Sequence, residues 1–305
     1  MKKILVLGGN GFICRNLVKT LACGNDEIYS FDLHIPEEKI PGVHYLEGDF
    51  FDDYVLRNVV EGMDLVYHGI CTLNPGNSND KYMQGYTRDL VQTVKLCDML
   101  YANKARMIFL SSGGTVYGKQ EHLPLKETAL PRPINHYGNL KLCSENMIRV
   151  FNIQNDTDFR IVRISNPFGP GQDYHKGVGF IDATLKRGLN KEKVQVFGDG
   201  SVIRDYIYIQ DVCDVLVHMG ENPGKHDIIN LGSGRGTSMK EILEIVKRYI
   251  PDLEVEYLPG RSVDVPEIYL DTERLMKLYP LELTSLEDGI EKYYNYLKEH
   301  NNGKN

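Results

Sequence analysis

The feature that most constrains the fold is a regular alternation of short apolar segments with segments of helical periodicity. The first apolar segment, KKILVLG, ends in glycine and is followed by GFICRNLVKTLACG, which has helical spacing. Further strand-like segments follow as EIYSFDL, GVHYLEGDF, MDLVYHGI, RMIFLSS and DFRIVRISN, and RDLVQTVKLCDMLYANK predicts a helix among them. Short apolar strands that alternate with helices are typical of a sheet covered on both faces. The sequence therefore predicts an α/β fold with a doubly wound parallel sheet.

After Phe168 the chain changes character, since GPGQDYHKGVG is rich in glycine and predicts a loop. The segments SVIRDYIYIQDVCDVLVHMG, DIINLGSG, SMKEILEIVKRYI, LEVEYLP and SLEDGIEKYYNYLKEH then predict further strands and helices. We therefore predict two domains. The first comprises residues 1–167, with 205–232 returning to it, and a smaller C-terminal α/β domain comprises 168–204 and 233–305.

The composition and net charge of the chain argue against several classes of binding partner. The net charge of −7 and the lack of a long basic run argue against nucleic-acid binding. The chain has no run of 18 or more apolar residues, so we predict no membrane span. The segment MKKILVLGGNGF reaches glycine too early for a signal peptide. The 6 scattered cysteines, without a CxxC pair, predict reduced thiols and a cytoplasmic location. The 9 histidines show no metal-ligand spacing, so we expect no metal site.

A glycine-rich turn between the first strand and the first helix predicts a dinucleotide site. LVLGGNGFIC places Gly8, Gly11 and Cys14 at the spacing GxxGxxG, which lets backbone N–H groups approach a pyrophosphate. A plain strand-to-helix turn is the alternative. Asp32 closes the second strand, where a carboxylate accepts hydrogen bonds from ribose hydroxyls and repels a 2′-phosphate. We therefore predict a Rossmann-type domain that binds NAD. Asp49, in EGDF, is either an adenine contact or a turn aspartate.

Cys14 departs from the motif. The third glycine normally permits close packing of helix and strand, so we expect some strain at this small cysteine.

A tyrosine and a lysine in INHYGNLKLCSE predict a catalytic pair. Tyr137 and Lys141 are one helical turn apart and share a face. They form either a packing stripe with a solvated lysine or a phenol whose acidity is tuned by an ammonium. Beside NAD, two positive charges would lower the tyrosine pKa from about 10 toward neutrality, so that the phenolate takes a proton from a substrate hydroxyl. In SSGGTVYG, Ser112 and Thr115 either hold the substrate oxygen or belong to an ordinary small-residue turn.

These motifs, with RISNPFGPGQ and GDGSVIRDYIYIQDV, together resemble the extended short-chain dehydrogenase/reductase family. Within it they are most similar to nucleotide-sugar epimerases of the UDP-glucose 4-epimerase type, over roughly residues 4–275. The resemblance implies tightly held NAD, and epimerisation at C4 of a nucleotide-diphosphate sugar through a transient 4-keto sugar. It also implies a homodimer, which helices at 89–100 and 140–151 could build.

The resemblance also implies roles for individual residues. Asn166, Arg204 and Arg261 match the residues that hold the diphosphate of the substrate. A guanidinium binds phosphate oxygens bidentately, although surface salt bridges with Asp205 and Asp264 are the alternative. The predicted catalytic residues are Tyr137, Lys141, Thr115 and Ser112; the predicted cofactor contacts are Gly8, Gly11, Phe12, Ile13, Asp32, Asp49, Phe50, Gly69, Ser111, Tyr137 and Lys141; the predicted substrate contacts are Asn166, Arg204, Arg261 and Thr115.

Two further departures keep other functions open. The catalytic serine or threonine of the family aligns with Gly113, so its role passes to Thr115, Ser112 or a water, and we favour Thr115. An asparagine of the family aligns with Asp89, which is unfavourable near a pyrophosphate unless it points away. One alternative function is reduction of a 4-keto-6-deoxy nucleotide sugar. Another is a non-catalytic NAD-binding sensor or scaffold. A 4,6-dehydratase is disfavoured, because such relatives carry an Asp-Glu pair where this chain has Gly114 and Thr115.

Overall fold

A computed structural model of the chain describes residues 1–176, 179–224, 228–260, 265–280 and 282–301. Its larger sheet has seven parallel strands, in the order β10-β6-β5-β4-β1-β2-β3. These strands are β1 (Lys3–Leu7), β2 (Glu27–Asp32), β3 (Val43–Glu47), β4 (Leu65–His68), β5 (Arg106–Ser112), β6 (Phe159–Ile164) and β10 (Ile228–Leu231).

Two hydrophobic cores cover the two faces of this sheet. The helices that flank it are α1 (Phe12–Leu21), α2 (Asp53–Val60), α3 (Ser78–Gln84), α4 (Val91–Ala102), α5 (His136–Asn155), α7 (Ile209–Glu221) and α9 (Glu273–Leu278). Ile4 and Val6 pack into the core with α1 and α7, whereas Leu5 and Leu7 pack into the core with α2, α4 and α5. Because successive side chains of a strand point to opposite faces, each strand contributes to both cores. The predicted doubly wound parallel sheet is therefore confirmed.

The C-terminal elements build a third core. A four-stranded sheet contains β7 (Asn166–Phe168), β9 (Ile203–Tyr208), β11 (Gly236–Ser238) and β13 (Glu267–Ile268), and a two-stranded sheet contains β8 (Val194–Phe197) and β12 (Val255–Leu258). The helices α6 (Phe180–Leu189), α8 (Met239–Tyr249) and α10 (Leu286–Asn301) pack in this core. The segment that ends in β10 pairs with β6, as expected if 205–232 returns to the first domain. The domain boundaries themselves stay a prediction.

The described ranges contain neither a candidate membrane-spanning helix nor a candidate metal cluster. No helix there is long and apolar enough to cross a membrane. No cluster of metal-ligating side chains occurs there either.

Candidate active site

A cleft of about 620 Å³ opens at the carboxyl ends of the parallel strands, where such sheets commonly bind ligands. It brings together twelve of the predicted site residues: Gly8, Gly11, Phe12, Ile13, Gly69, Ser111, Ser112, Thr115, Tyr137, Lys141, Asn166 and Arg204. Asp32, Asp49 and Phe50 do not line this cleft. Arg261 and Asp264 lie outside the described residues.

The glycine-rich turn has the shape that a dinucleotide requires. Gly8 has φ +86°, a backbone conformation that side chains rarely adopt, and a Cβ on Gly11 would lie 3.1 Å from the Gly8 carbonyl oxygen. The first turn of α1 has no side-chain cap and no acidic residue, so its positive end favours an anion. Asp32 lies against this turn, because its carboxylate accepts a hydrogen bond from the Asn10 N–H at 2.9 Å.

Cys14 fits beside the turn because a glycine on a neighbouring strand end leaves space for it. Its side chain is 3% exposed, and a Cβ on Gly69 would overlap the Cys14 sulphur. Burial raises the pKa of Cys14 to about 12, so the thiol stays protonated. The close packing of helix and strand is therefore preserved at this departure from the glycine motif.

Helix α5 presents the Tyr137–Lys141 pair to the cleft. The helix begins where the Asn135 side chain accepts a hydrogen bond from the Gly138 N–H at 2.8 Å. Lys141 is 4% exposed, its Nζ donates to the Leu110 carbonyl at 2.8 Å, and it lies 5.8 Å from the centroid of the Tyr137 ring. The alternative of a packing stripe with a solvated lysine is thus wrong.

The acidity of Tyr137 differs from the sequence-based expectation. Burial raises the pKa of Tyr137 well above its usual value, and the nearby Cys71 raises it further, whereas a hydrogen bond with Ser112 lowers it. The phenol is therefore neutral near pH 7 in the protein alone. The expected lowering requires a positive charge that the side chains around the phenol do not supply.

The space at Gly113 and the hydrogen bonding of Thr115 bear on the predicted catalytic hydroxyl. A Cβ on Gly113 would lie 2.6 Å from Cδ1 of Leu270 and 3.0 Å from the Arg163 carbonyl oxygen. Leu270 therefore takes the room that a serine or threonine at Gly113 would need. The Thr115 hydroxyl is buried at the cleft and has no hydrogen-bond partner among the described residues. It is available to a substrate oxygen.

The other predicted cofactor contacts have roles within the protein. Ser111 donates its hydroxyl to Oε1 of Glu145 at 2.5 Å. Asp49 is exposed, and its carboxylate accepts from the Phe51 N–H at 2.9 Å, as a turn aspartate does. The Phe50 side chain is 3% exposed and belongs to a core. Contacts of these residues with a cofactor stay predictions.

Asp89 lies in a π-helical turn (Gly85–Leu90) and faces the loop after β4. Its carboxylate accepts from the Thr72 N–H at 2.7 Å, from the Thr72 hydroxyl at 2.9 and 3.0 Å, and from the Cys71 thiol at 3.5 Å. The Asp89 carboxylate is thus engaged by donors of the protein itself.

Asn166, on β7, and Arg204, on β9, also line the cleft. Asn166 Nδ2 donates to the Asp205 carbonyl at 2.8 Å, and Arg204 Nη1 donates to the Ile203 carbonyl at 2.7 Å. The Asp205 carboxylate accepts from Ser233 N–H and hydroxyl groups, both at 2.8 Å. These bonds fix the two predicted substrate contacts on a sheet.

Two further cleft residues were missed in the sequence. Ser165 Oγ and Gln172 Oε1 are buried and have no hydrogen-bond partner among the described residues. Both stand close to Asn166 in RISNPFGPGQ, so their position beside a predicted contact was the available signal.

Comparisons with known proteins agree with this geometry. The sequence matches the NAD dependent epimerase/dehydratase family over residues 4–232. It is 27% identical to a UDP-glucose 4-epimerase of Halalkalibacterium halodurans, over 98% of this chain and 97% of that protein. It is 28% identical to a dTDP-4-dehydro-6-deoxyglucose reductase of Escherichia coli, over 95% of each chain. Its structure is similar to the crystal structure of a Thermotoga maritima UDP-glucose 4-epimerase with UDP-glucose, with a TM-score of 0.91, 26% identity, and coverage of 98% and 99%.

Proposed function

Because this chain belongs to the NAD dependent epimerase/dehydratase family, we propose that it inverts C4 of a nucleotide-diphosphate sugar of the UDP-glucose and UDP-galactose type. NAD is its cofactor. The observation that carries the proposal is one cleft that joins the glycine-rich turn, the Tyr137–Lys141 pair and Arg204. The names of the Halalkalibacterium and Thermotoga relatives support the choice of reaction.

The residues at the turn fit NAD. Gly8, Gly11 and Gly69 line the cleft without side chains, so a pyrophosphate can approach the backbone at the start of α1. Asp32, whose carboxylate lies against this turn, would accept hydrogen bonds from ribose hydroxyls. When bound, NAD would accept a hydride from the sugar and return it, and its oxidised ring would bring a positive charge.

Tyr137 would take the proton of the sugar C4 hydroxyl and later give it back. Burial keeps its phenol protonated in the protein alone, so the phenolate would form only when further positive charge enters the cleft. Ser112, which is hydrogen-bonded to the phenol, favours the phenolate. This coupling would restrict the proton transfer to the loaded enzyme.

Inversion requires that the hydride return to the opposite face of the transient 4-keto sugar, so the sugar must turn within the cleft. Asn166 and Arg204 would hold the diphosphate while the sugar turns. Thr115 would bond the C4 oxygen through its unpartnered hydroxyl. Arg261 stays a predicted second guanidinium for the diphosphate.

The test starts from the protein as purified, without added cofactor. Bound NAD is released by denaturation and quantified, and a parallel sample is incubated with UDP-glucose, UDP-galactose and their N-acetyl forms and followed by NMR. We expect NAD near one per chain and interconversion in both directions. Tyr137→Phe should fold and retain NAD but lose activity by about 10²-fold or more. A protein without NAD that leaves all four sugars unchanged would refute the proposal.

A second candidate function is reduction of a 4-keto-6-deoxy nucleotide sugar. The Escherichia coli reductase, at 28% identity, supports it. A reductase must exchange its cofactor at each turnover, whereas an epimerase can retain it. Stoichiometric consumption of added NADH with a dTDP-linked 4-keto-6-deoxy sugar would therefore favour the reductase.

We also propose a homodimer in the cytoplasm. Val91, Val94 and Tyr101 on α4, and Val150 and Ile153 on α5, are between 38% and 76% exposed. These apolar side chains recur at helical spacing on two adjacent helices, as a four-helix interface would need. All six cysteines are free, which suits a reducing compartment.

A further inference from the structure

A buried ion pair lies behind the cleft, between α5 and the ends of β5 and β6. Arg163 Nη2 is 2.6 Å from Oε2 of Glu145, and its Nε is 3.1 Å from Oε1. Ser111 donates its hydroxyl to the same Oε1 at 2.5 Å. The Glu145 and Arg163 side chains are only 1% and 3% exposed. Glu145 thus connects α5 to the carboxyl ends of the two neighbouring strands β5 and β6.

The same helix carries the catalytic pair. Glu145 follows Lys141 by one helical turn, and Lys141 follows Tyr137 by one turn, so the three project from one side of α5. Lys141 Nζ donates to the carbonyl of Leu110, the neighbour of Ser111, at 2.8 Å. Two consecutive turns of α5 are therefore attached to two consecutive residues of β5. A slide or rotation of the helix would break both attachments.

Such a pair contributes little net stability, because the cost of desolvating two charges offsets their attraction. It does fix geometry, since a guanidinium and a carboxylate that share two hydrogen bonds are held in both distance and angle. The part of α5 that this geometry holds is the part that presents the Tyr137 phenol to Ser112.

We propose that Glu145 and Arg163 are positioning residues for the reaction. The pair sets the register of α5 on β5 and β6, so that the Tyr137 phenol meets Ser112 and Thr115 at the substrate oxygen. The inference rests on the proposed function, in which Tyr137 accepts the proton.

The test replaces the pair by apolar residues of similar size in the double variant Glu145→Leu, Arg163→Met, which keeps the net charge. Replacements of this kind are commonly neutral or stabilising, so the urea midpoint of unfolding should not fall below that of the wild-type protein. Because an error of about 1 Å at a reacting group can cost about 10²-fold, we expect kcat to fall about 10- to 100-fold. KM for the nucleotide sugar should change by less than about threefold, since Asn166 and Arg204 are untouched.

A second readout does not need turnover. The ultraviolet titration of the Tyr137 phenol, with Tyr137→Phe as the blank, reports its pKa in the NAD-loaded protein. Lys141 on α5 lies 5.8 Å from the ring, and Cys71 on the loop after β4 and the Ser112 hydroxyl are the groups that shift the pKa of this phenol. Once the phenol and Ser112 are no longer held together, the hydrogen bond that lowers this pKa weakens, so the pKa should rise by about one unit in the double variant.

A matched control breaks an ion pair at the opposite ends of the same two strands. Arg106, the first residue of β5, is 2.6 Å from Asp158, which precedes β6. Arg106→Met should leave kcat and the pKa of Tyr137 at their wild-type values, whatever it does to stability.

Each outcome decides between positioning and a merely structural role. A stable double variant with wild-type kcat and wild-type pKa of Tyr137 would overturn the proposal. If the double variant does not fold, Glu145→Gln replaces it: a lower kcat at unchanged KM supports positioning, and an unchanged kcat refutes it. If the wild-type protein interconverts no sugar, the proposed function fails, and the titration of Tyr137 alone decides the inference.

Discussion

A side chain at Gly113 should be costly in this chain, because two other residues occupy the space that it would need. Its Cβ would lie 2.6 and 3.1 Å from two methyl carbons of Leu270, and 3.0 Å from the Arg163 carbonyl oxygen. Leu270 is 0% exposed, and its N–H donates to the Asp205 carboxylate at 3.2 Å, so it has little room to withdraw. Overpacking of this kind costs about 1–3 kcal/mol. The φ of Gly113 is not positive, so the loss of glycine entropy in the unfolded chain returns about 0.4–1 kcal/mol.

We therefore expect Gly113→Ser to lower the free energy of unfolding by about 1–2 kcal/mol, measured by urea denaturation. The neighbouring Gly114 is the control, because a Cβ there would find its nearest atom, in Asn166, at 3.7 Å. Gly114→Ser should change the free energy by no more than about 0.5 kcal/mol.

A double-mutant cycle identifies the cause. Leu270→Ala alone should cost about 2–5 kcal/mol, because it leaves a cavity. Combined with Gly113→Ser, the total should be smaller than the sum by about 1 kcal/mol or more, since the serine enters that cavity. Additive costs, or equal costs for serine at Gly113 and at Gly114, would show that Leu270 does not exclude the hydroxyl residue.

Three more predictions test other parts of the molecule. Thr115→Val keeps the shape of the side chain and removes the unpartnered hydroxyl, so it should lower kcat about 10- to 100-fold with bound NAD unchanged. If Ser112→Ala lost more activity than Thr115→Val, Ser112 would be the residue that bonds the substrate oxygen. Burial lowers the pKa of His68 to about 3, so between pH 6.5 and 3 only the unfolded chain binds this proton, and stability falls as the pH falls. From pH 7 to pH 5 the free energy of unfolding of the wild-type protein, measured by urea denaturation, should fall by about 2 kcal/mol more than that of His68→Leu. An equal pH dependence of the two proteins would contradict this prediction. Ile153→Glu should yield monomers in light-scattering chromatography, whereas Tyr54→Glu, at an equally exposed apolar residue on α2, should not; a monomeric wild-type protein would refute the dimer.

The periodicity of the chain was sufficient to predict the parallel sheet and the shared helix face of Tyr137 and Lys141. Apolar segments such as KKILVLG identify strands from local pattern alone, and the four-residue spacing of Tyr137 and Lys141 identifies a shared helix face. The glycine turn and Asp32 are also local signals, since a strand end followed by a helix start brings them together.

The protonation and the solvent exposure of those side chains could not be predicted from local spacing. The pKa of Tyr137 depends on how much of the phenol is buried and on Cys71, which comes from another loop. Whether Lys141 was solvated depended on its distance from the Leu110 carbonyl. Local spacing places a residue on a helix face, but it carries no information about what that face meets.

The sequence by itself predicted which residues are available for chemistry: a turn without side chains for a pyrophosphate, a phenol and an ammonium on one helix face, and two arginines for a diphosphate. Only the tertiary structure decided how the departures from the family pattern are accommodated. Gly69 leaves space for the Cys14 side chain, and Leu270 fills the space at Gly113. Thr72 donates hydrogen bonds to the Asp89 carboxylate. Each of these depends on atoms that are distant in the chain and in van der Waals or hydrogen-bond contact in the fold. Such contacts are decided by packing of whole elements, which no short stretch of sequence specifies.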